Sequence, residues 1–239
     1  MVSAVIRNWD KKNWLSSKNY ILRFNNFLTK INKLDSSSLI LDVGCGRGKI
    51  IGTLRDKLKL KSKPIGIDLV NHKDKDKRIN FKKKDALSFF SSNKKKFDLI
   101  MIKQTIHLLK LNKIKTLLSE MKKSLKPKGK ILIFTLDPNN NEIPCFSLMK
   151  TKLSISLKRD KDILRLIKRI YPKRIIKYFF YEVKMTKKKY VDMVSSRFIS
   201  ILLNLKEEQI VTGIDEINLK YKKNLRFKDK LVCIIIENN

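Results

Sequence analysis

Cysteine, histidine, alanine, glycine, proline and acidic residues are all scarce in this chain of 239 residues, and several of these scarcities close off a class of protein. The three cysteines, Cys45, Cys145 and Cys233, are odd in number and show no paired spacing, so no disulfide framework is expected. With only two histidines beside them they assemble no metal cluster, and unpaired thiols suggest a reducing, cytoplasmic setting. No apolar run approaches the roughly 18 residues that cross a bilayer, and M-V-S-A-V-I-R-N-W-D lacks a signal-peptide core. A membrane span is therefore not expected. No internal repeat is present.

Acidic residues number 22 against 56 Lys and Arg, giving a net charge of +34. That excess suggests nucleic-acid binding, yet only 11 of the basic residues are arginine. Readers of nucleic acid favour arginine, whose planar fork pairs bidentately with phosphates and base edges. Here lysines are scattered over every polar face, alanine occurs twice, and asparagine (18) and isoleucine (30) are abundant. An AT-rich coding sequence produces this bias with no binding function behind it. The charge still attracts polyanions in a weak, salt-sensitive way. With 42% hydrophobic residues, the chain is read as one domain over 1–239 with a single α/β core.

Against this glycine-poor background, four of seven glycines fall between Gly44 and Gly52, in L-I-L-D-V-G-C-G-R-G-K-I-I-G. An apolar strand, Leu39 to Val43, runs into Gly44, Gly46 and Gly48. A helical pattern with Ile50, Ile51, Leu54 and Leu58 on one face follows. Glycines at such a join let the backbone turn tightly and approach a ligand, and the helix start offers unpaired N–H groups. The spacing fits neither a dinucleotide fingerprint, whose third glycine would stand at Lys49, nor a P-loop, which needs Lys-Ser/Thr after its last glycine. A second apolar run, P64-I-G-I-D-L-V70, ends in Asp68, a carboxylate placed for ribose hydroxyls. A short strand from Ile79 to Phe81 leads to Asp85-Ala86. Then come F97-D-L-I-M-I102, a turn at Pro127-Lys128-Gly129, and the strand K130-I-L-I-F-T-L136.

These elements resemble, in order over about residues 36 to 136, the motifs of class I S-adenosylmethionine-dependent methyltransferases. L-D-V-G-C-G-R-G is similar to the first motif and G-I-D to the acidic end of the second strand. K-D-A matches the turn after the third strand, F-D-L-I-M-I-K-Q-T-I-H-L-L the fourth-strand motif, and L-K-P-K-G-K-I-L-I the approach to the fifth. The resemblance implies a Rossmann-like, seven-stranded sheet, mostly parallel with the last strand antiparallel, flanked by helices on both faces. It also implies S-adenosyl-L-methionine as cofactor. Asp42, Gly44, Cys45 and Gly46 would then line the methionine part, Asp68 the ribose, and Asp85 and Ala86 would lie near the adenine, with Gly48 and Leu69 also counted as cofactor-binding. Lys103 and Gln104 would form the wall nearest the methyl group. Asp85 is equally a natural N-cap of a helix.

Residues 1–35 read as an N-terminal helical lid, with Trp14, Tyr20, Phe24, Phe27, Leu28 and Ile31 at roughly helical spacing. Trp9, Trp14 and Tyr20 are its candidate acceptor contacts. Residues 36–136 form the cofactor half and 137–239 the acceptor side with the final strands. A turn-rich loop, D137-P-N-N-N-E-I-P144, is followed by a variable segment to about Tyr171 and a strand from Arg174 to Lys184. Thr186 is read as the cap of a helix with Tyr190, Val194, Phe198, Ile201 and Leu205 inward. A helix with Ile210, Ile214, Ile217 and Tyr221 inward leads to L231-V-C-I-I-I236. This tail loosely resembles methyltransferases of the trans-aconitate and ubiquinone-biosynthesis type, which carry a Ser-Arg pair here matched by Ser196-Arg197. Arg197 is either a holder of a substrate carboxylate or a solvated helix residue.

His107, at the start of the helix after the fourth strand, is the candidate general base, or else a histidine packed at the helix base. His72, in N-H-K-D-K-D-K, reads as a solvated loop residue. The expected reaction is methyl transfer to a small-molecule acceptor, a carboxylate or other metabolite. The alternatives are an rRNA or tRNA methyltransferase using the basic surface, or a protein methyltransferase. Amino-directed base methylation would carry Asp/Asn-Pro-Pro-aromatic where this chain has K103-Q-T-I-H, and the cysteine pair of cytosine-C5 chemistry is incomplete.

Overall fold

A computed structural model describes residues 13–238. Seven strands form one sheet in the order β3-β2-β1-β4-β5-β7-β6. They are β1 (Ile40–Val43), β2 (Ile65–Asp68), β3 (Asn80–Lys83), β4 (Phe97–Lys103), β5 (Leu125–Leu136), β6 (Ile175–Thr186) and β7 (Asn224–Glu237). The first five pair in parallel, with Asp42 opposite Gly66 of β2 and Met101 of β4. Their central residues, such as Leu41, Val43, Ile65, Ile67, Leu99–Ile102 and Ile131–Phe134, are continuous apolar runs because helices cover both faces of a parallel sheet. β7 runs antiparallel. Lys128 N–H donates to Asn238 O and Asp137 N–H to Lys230 O, so one strand number rises as the other falls.

The helices are α1 (Lys18–Ile31), α2 (Lys49–Leu58), α3 (Ala86–Ser92), α4 (Leu111–Lys123), α5 (Ser147–Ile170), α6 (Lys187–Ser195) and α7 (Glu207–Lys220). None among the described residues is long and apolar enough to cross a membrane. α4 buries Ile114, Leu117, Leu118 and Met121, spaced three and four apart, into a core shared with Ile100, Ile131, Ile163, Ile167 and Ile234. Thr186 caps α6 as its sequence position predicts, accepting the Lys189 N–H at 3.3 Å.

The chain gathers into two compact units, each discontinuous in sequence. The first holds the described residues up to Tyr20 with Leu136–Asp162 and Phe180–Lys230. The second holds Ile21–Thr135, Ile163–Phe179 and the described residues from Leu231. Several local expectations differ from what is found. The variable segment before Tyr171 is the 24-residue helix α5. β5 already begins at Leu125, ahead of the Pro127-Lys128-Gly129 turn residues, and β7 begins seven residues before Leu231. Trp14 lies in a separate 3-10 turn, Trp14–Ser16, rather than on the helix that carries Phe24.

Candidate active site

The sheet order reverses direction at β1: the chain moves outward through β2 and β3, then returns to place β4 on the other side. That switch point, at the carboxyl ends of β1 and β4, is where α/β sheets form the crevice that binds their ligands. The glycine turn leaves β1 at this point. Gly44, Gly46 and Gly48 have φ of +76°, +55° and +72°, a region other residues enter at a cost. Gly44 and Cys45 N–H both donate to Ile67 O, at 2.9 and 3.0 Å, fastening the turn to β2. A Cβ on Gly44 would lie 2.2 Å from Thr105 Oγ1, so this position has no room for a side chain.

Two carboxylates stand at the strand tips. Asp68 Oδ2 accepts the Gly46 N–H at 2.8 Å and Oδ1 accepts the Val70 N–H at 2.9 Å, tying the glycine turn to the exit of β2. Asp42 is 3% exposed and its Oδ1 has no hydrogen-bond partner. Burial pushes its carboxyl up to about 7; the Lys103 charge opposes the rise and the Asp68 charge adds to it. The Lys103 ammonium stands 5.5 Å from the centre of the Phe24 ring. Gln104 holds a φ of +50° while its N–H donates to Phe134 O at 2.8 Å, a strained turn out of β4. Burial also drives the Cys45 thiol far up, which keeps it protonated and without nucleophilic character.

Farther along the same edge, Leu69 is exposed beside Asp68, and Asp85 caps α3 ahead of Ala86 by accepting the Ser88 N–H at 3.0 Å. Hydrogen bonds from Ser88 hold the Asp85 carboxyl below the usual carboxylate range. His107 is half-buried in a 3-10 turn, Ile106–Leu108, ahead of α4 rather than on it. Asp42, the glycines, Cys45, Asp68, Leu69, Asp85, Ala86, Lys103, Gln104 and His107 all belong to the second unit.

Sequence reasoning missed a strap over this turn. Arg47, within the glycine run, is 3% exposed, and its Nε donates to Asp74 Oδ1 at 2.8 Å. Its carbonyl accepts the Asp76 N–H at 2.8 Å, and Asp76 is held by Arg78, which reaches Asp56 on α2 at 2.5 Å. The K-D-K-D-K-R segment after Asp68 is thus laced to the glycine turn and to α2. Its alternating charge was the available signal. His72, in the same loop, is buried rather than solvated as its polar neighbours suggest. Thr105, which closes over Gly44, was not singled out either.

The acceptor candidates fall elsewhere. Trp9 lies outside the described residues. Trp14 and Tyr20 are buried in the first unit, not presented on a lid. Trp14 donates its indole N–H to Asp229 Oδ2 at 3.0 Å and packs against Phe198 and Phe227, and the Tyr20 ring packs against Tyr181. Arg197, also in the first unit, has a φ of +51° just past the end of α6. Its guanidinium donates to Glu207 at 2.8 Å and to Leu205 O at 3.3 Å. A substrate carboxylate there would compete with Glu207.

Residues 40–129 match the family model for a methyltransferase domain. No curated protein matches the chain. Among solved structures, a candidate methyltransferase of an antibiotic biosynthesis pathway from Anabaena variabilis is similar with a TM-score of 0.62 at 14% identity, over 89% of this chain and 96% of that one. A methyltransferase from Geobacter sulfurreducens in complex with S-adenosyl-L-homocysteine gives 0.57 at 13%, over 98% and 96%. The plantazolicin methyltransferase BpumL, in complex with a triazolic desmethylPZN analog and SAH, gives 0.54 at 17%, over 98% and 90%. At these identities the structural likenesses establish the fold. The matched span lies on that sheet and carries its glycine turn: residues 40–129 form a methyltransferase domain, and the protein is an S-adenosylmethionine-dependent methyltransferase.

Proposed function

We propose that this enzyme methylates a small-molecule acceptor, with the cofactor seated on the glycine turn and the tips of β1, β2 and β4. The observation that carries the seating is the pairing of a cradle with an unsatisfied acid. Gly44 takes a left-handed turn packed directly against Thr105, with no space for a Cβ, while the buried Asp42 Oδ1 two residues before it lacks a partner. A cationic amino-acid tail would supply that partner. Asp68 retains lone pairs for ribose hydroxyls beyond the two N–H groups it already accepts. Gly46 and Gly48 line the turn, Leu69 offers an apolar surface to a nucleoside face, and Asp85 with Ala86 borders the base. Lys103 and Gln104 form the wall toward the acceptor.

When bound, the cofactor supplies a methyl group already activated by its sulfonium centre. The protein's share is to align the acceptor behind that methyl and exclude water, and positioning alone accounts for roughly 7–11 kcal/mol in favourable cases. His107 takes the proton of an acceptor hydroxyl or ammonium; a carboxylate or thiolate acceptor needs no base. The absence of a base-methylation motif in K103-Q-T-I-H supports a small acceptor over RNA. The azole analog named in the BpumL complex points the same way for the acceptor class.

Calorimetric titration with S-adenosylhomocysteine tests the seating. Binding in the micromolar range is expected, weakened about 100-fold or more in Asp68→Ala, equivalent to about 2.7 kcal/mol. Absence of heat from the intact protein would defeat it. Transfer of tritiated methyl into a metabolite extract against total RNA tests the acceptor class, and label appearing mainly in RNA would overturn the small-molecule reading.

A further inference from the structure

The end of α5 and the start of β6 carry a surface that methyl transfer leaves unexplained. From Ile163 to Tyr181 the chain holds six cations, Arg165, Lys168, Arg169, Lys173, Arg174 and Lys177, and no acidic residue. α5 stops at Ile170, ahead of Pro172, and β6 starts at Ile175 after a short turn. Its first four residues are all exposed, the apolar ones substantially: Ile175 40%, Ile176 43% and Tyr178 49%. Successive side chains of a strand point to opposite faces. Exposure of four in a row therefore means that each face of the strand is partly open to solvent at this end. One residue further, Phe179 is buried, its ring 5.1 Å from that of Phe24 and 5.6 Å from that of Phe27. The projection is thus anchored, and β6 is the terminal strand of the sheet.

We propose that this projecting end of β6, with the cations beside it, docks on an anionic lipid bilayer. The chemistry of the patch selects the occupant. Isoleucines on opposite faces of one strand end need a medium that surrounds the element, whereas a folded partner covers one face. Nucleic acid would satisfy the lysines and arginines but offers phosphates and base edges, with no slot for isoleucine. The boundary layer of a bilayer takes aliphatic side chains at its depth and tyrosine at headgroup level. Anionic headgroups then meet a segment that carries six cations and no acidic residue of its own. A second copy of the chain would bring the same six cations against these six.

The test uses the full chain in sedimentation with vesicles of phosphatidylcholine, alone or with about one third phosphatidylglycerol, at about 0.1 M salt, where exposed charges act over about 10 Å. The protein is expected to sediment with the anionic vesicles and remain in solution with the neutral ones. Ile175→Ser/Ile176→Ser keeps every charge and is expected to lower the partition coefficient about tenfold. Lys173→Glu/Lys177→Glu should lower it at least as much. Lys113→Glu/Lys115→Glu, the same charge change at exposed sites on α4, should cost no more than about twofold. Equal partitioning of the serine pair and the parent would overturn the proposal, leaving only bulk attraction by the net charge. So would a serine pair that loses affinity for single-stranded RNA or an acidic polypeptide while its vesicle binding is unchanged.

Discussion

The crevice at the tips of β1 and β4 is made of backbone. Its turn is shaped by three glycines at positive φ, closed by N–H groups donating to Ile67 O, and braced by the Asp68 carboxylate. The interior of the first unit is made of rings. Trp14 stands 5.3 Å from both Phe198 and Phe227, Tyr190 stands 5.7 Å from Phe198, and the Tyr190 hydroxyl donates to Pro144 O. The two constructions leave different marks in a sequence. A backbone conformation forbidden to side chains dictates residue identity at fixed spacing. A ring cluster dictates only size and apolarity, and similar packing follows from many sequences. One region therefore announces its ligand, and the other announces only a core.

The difference is sharpest in a pair of substitutions. Trp14→Ala removes a large buried ring and the Asp229 Oδ2 donor, and is expected to cost about 3–5 kcal/mol of stability. S-adenosylhomocysteine affinity at a temperature where the variant is folded should stay within about twofold of the parent. Gly44→Ala should do the reverse. Its Cβ meets Thr105 at 2.2 Å in a left-handed conformation, so cofactor binding should fall about 100-fold, while the stability loss stays near 1–3 kcal/mol. Thermal melts and calorimetric titrations on both variants check this. If Trp14→Ala abolished cofactor binding, the aromatic interior would also have to be counted as ligand machinery.

A smaller effect separates binding from stability inside the crevice itself. The Asp42 carboxyl sits at about 7 in the folded protein against an ordinary 3.8, chiefly through burial. A raised folded value stabilises the protein fully below the unfolded value, and that contribution is lost as pH rises through about 7. Asp42→Asn abolishes this titration. The cofactor-free variant should therefore gain most over the parent above pH 7, by no more than about 4 kcal/mol, and gain nothing from this source below about pH 4. Its affinity for S-adenosylhomocysteine should fall, and the parent's should rise with pH through about 7 as the ionised acid becomes available to a cationic tail. Melting curves across this pH range check the sign; a gain confined to acid pH would refute the assignment.

Legibility followed the same division. The glycine turn, Asp68 and the strands β1, β2, β4 and β5 were readable because each is fixed by spacing or by an apolar run, whereas β3, with one apolar residue among Asn80–Lys83, was legible only from its place between Asp68 and Asp85. α5 was not, since its lysines fall on every side, Ile155 lies exposed and Asp160 buried, which blurs the helical period. The early part of β7 was readable in principle: Leu225, Phe227 and Asp229 are buried between exposed Asn224, Arg226 and Lys228, a period of two. A charged residue on the buried side of that alternation hid the strand. The Arg47–Asp74 strap was hidden for another reason, because any of a dozen nearby lysines and acids could have paired and sequence ranks none of them.

The smallest expected effect falls on Arg197, where the two regions' logics meet in one residue. Its N–H donates to Val194 O at 2.9 Å and the Phe198 N–H donates to Met193 O at 3.1 Å. This double closure ends α6 with Arg197 at the left-handed position that glycine usually fills. Arg197→Gly relieves the backbone by about 1 kcal/mol and gives up the partly exposed pair with Glu207, worth about 0–1 kcal/mol. The two nearly cancel, so the melting temperature should move by no more than about 2–4 °C. Methyl transfer should keep its KM, since the guanidinium is already taken by Glu207 and the Leu205 carbonyl. A KM raised about tenfold at unchanged stability would instead mean that an acceptor carboxylate displaces Glu207, and would return this residue from helix closure to substrate binding.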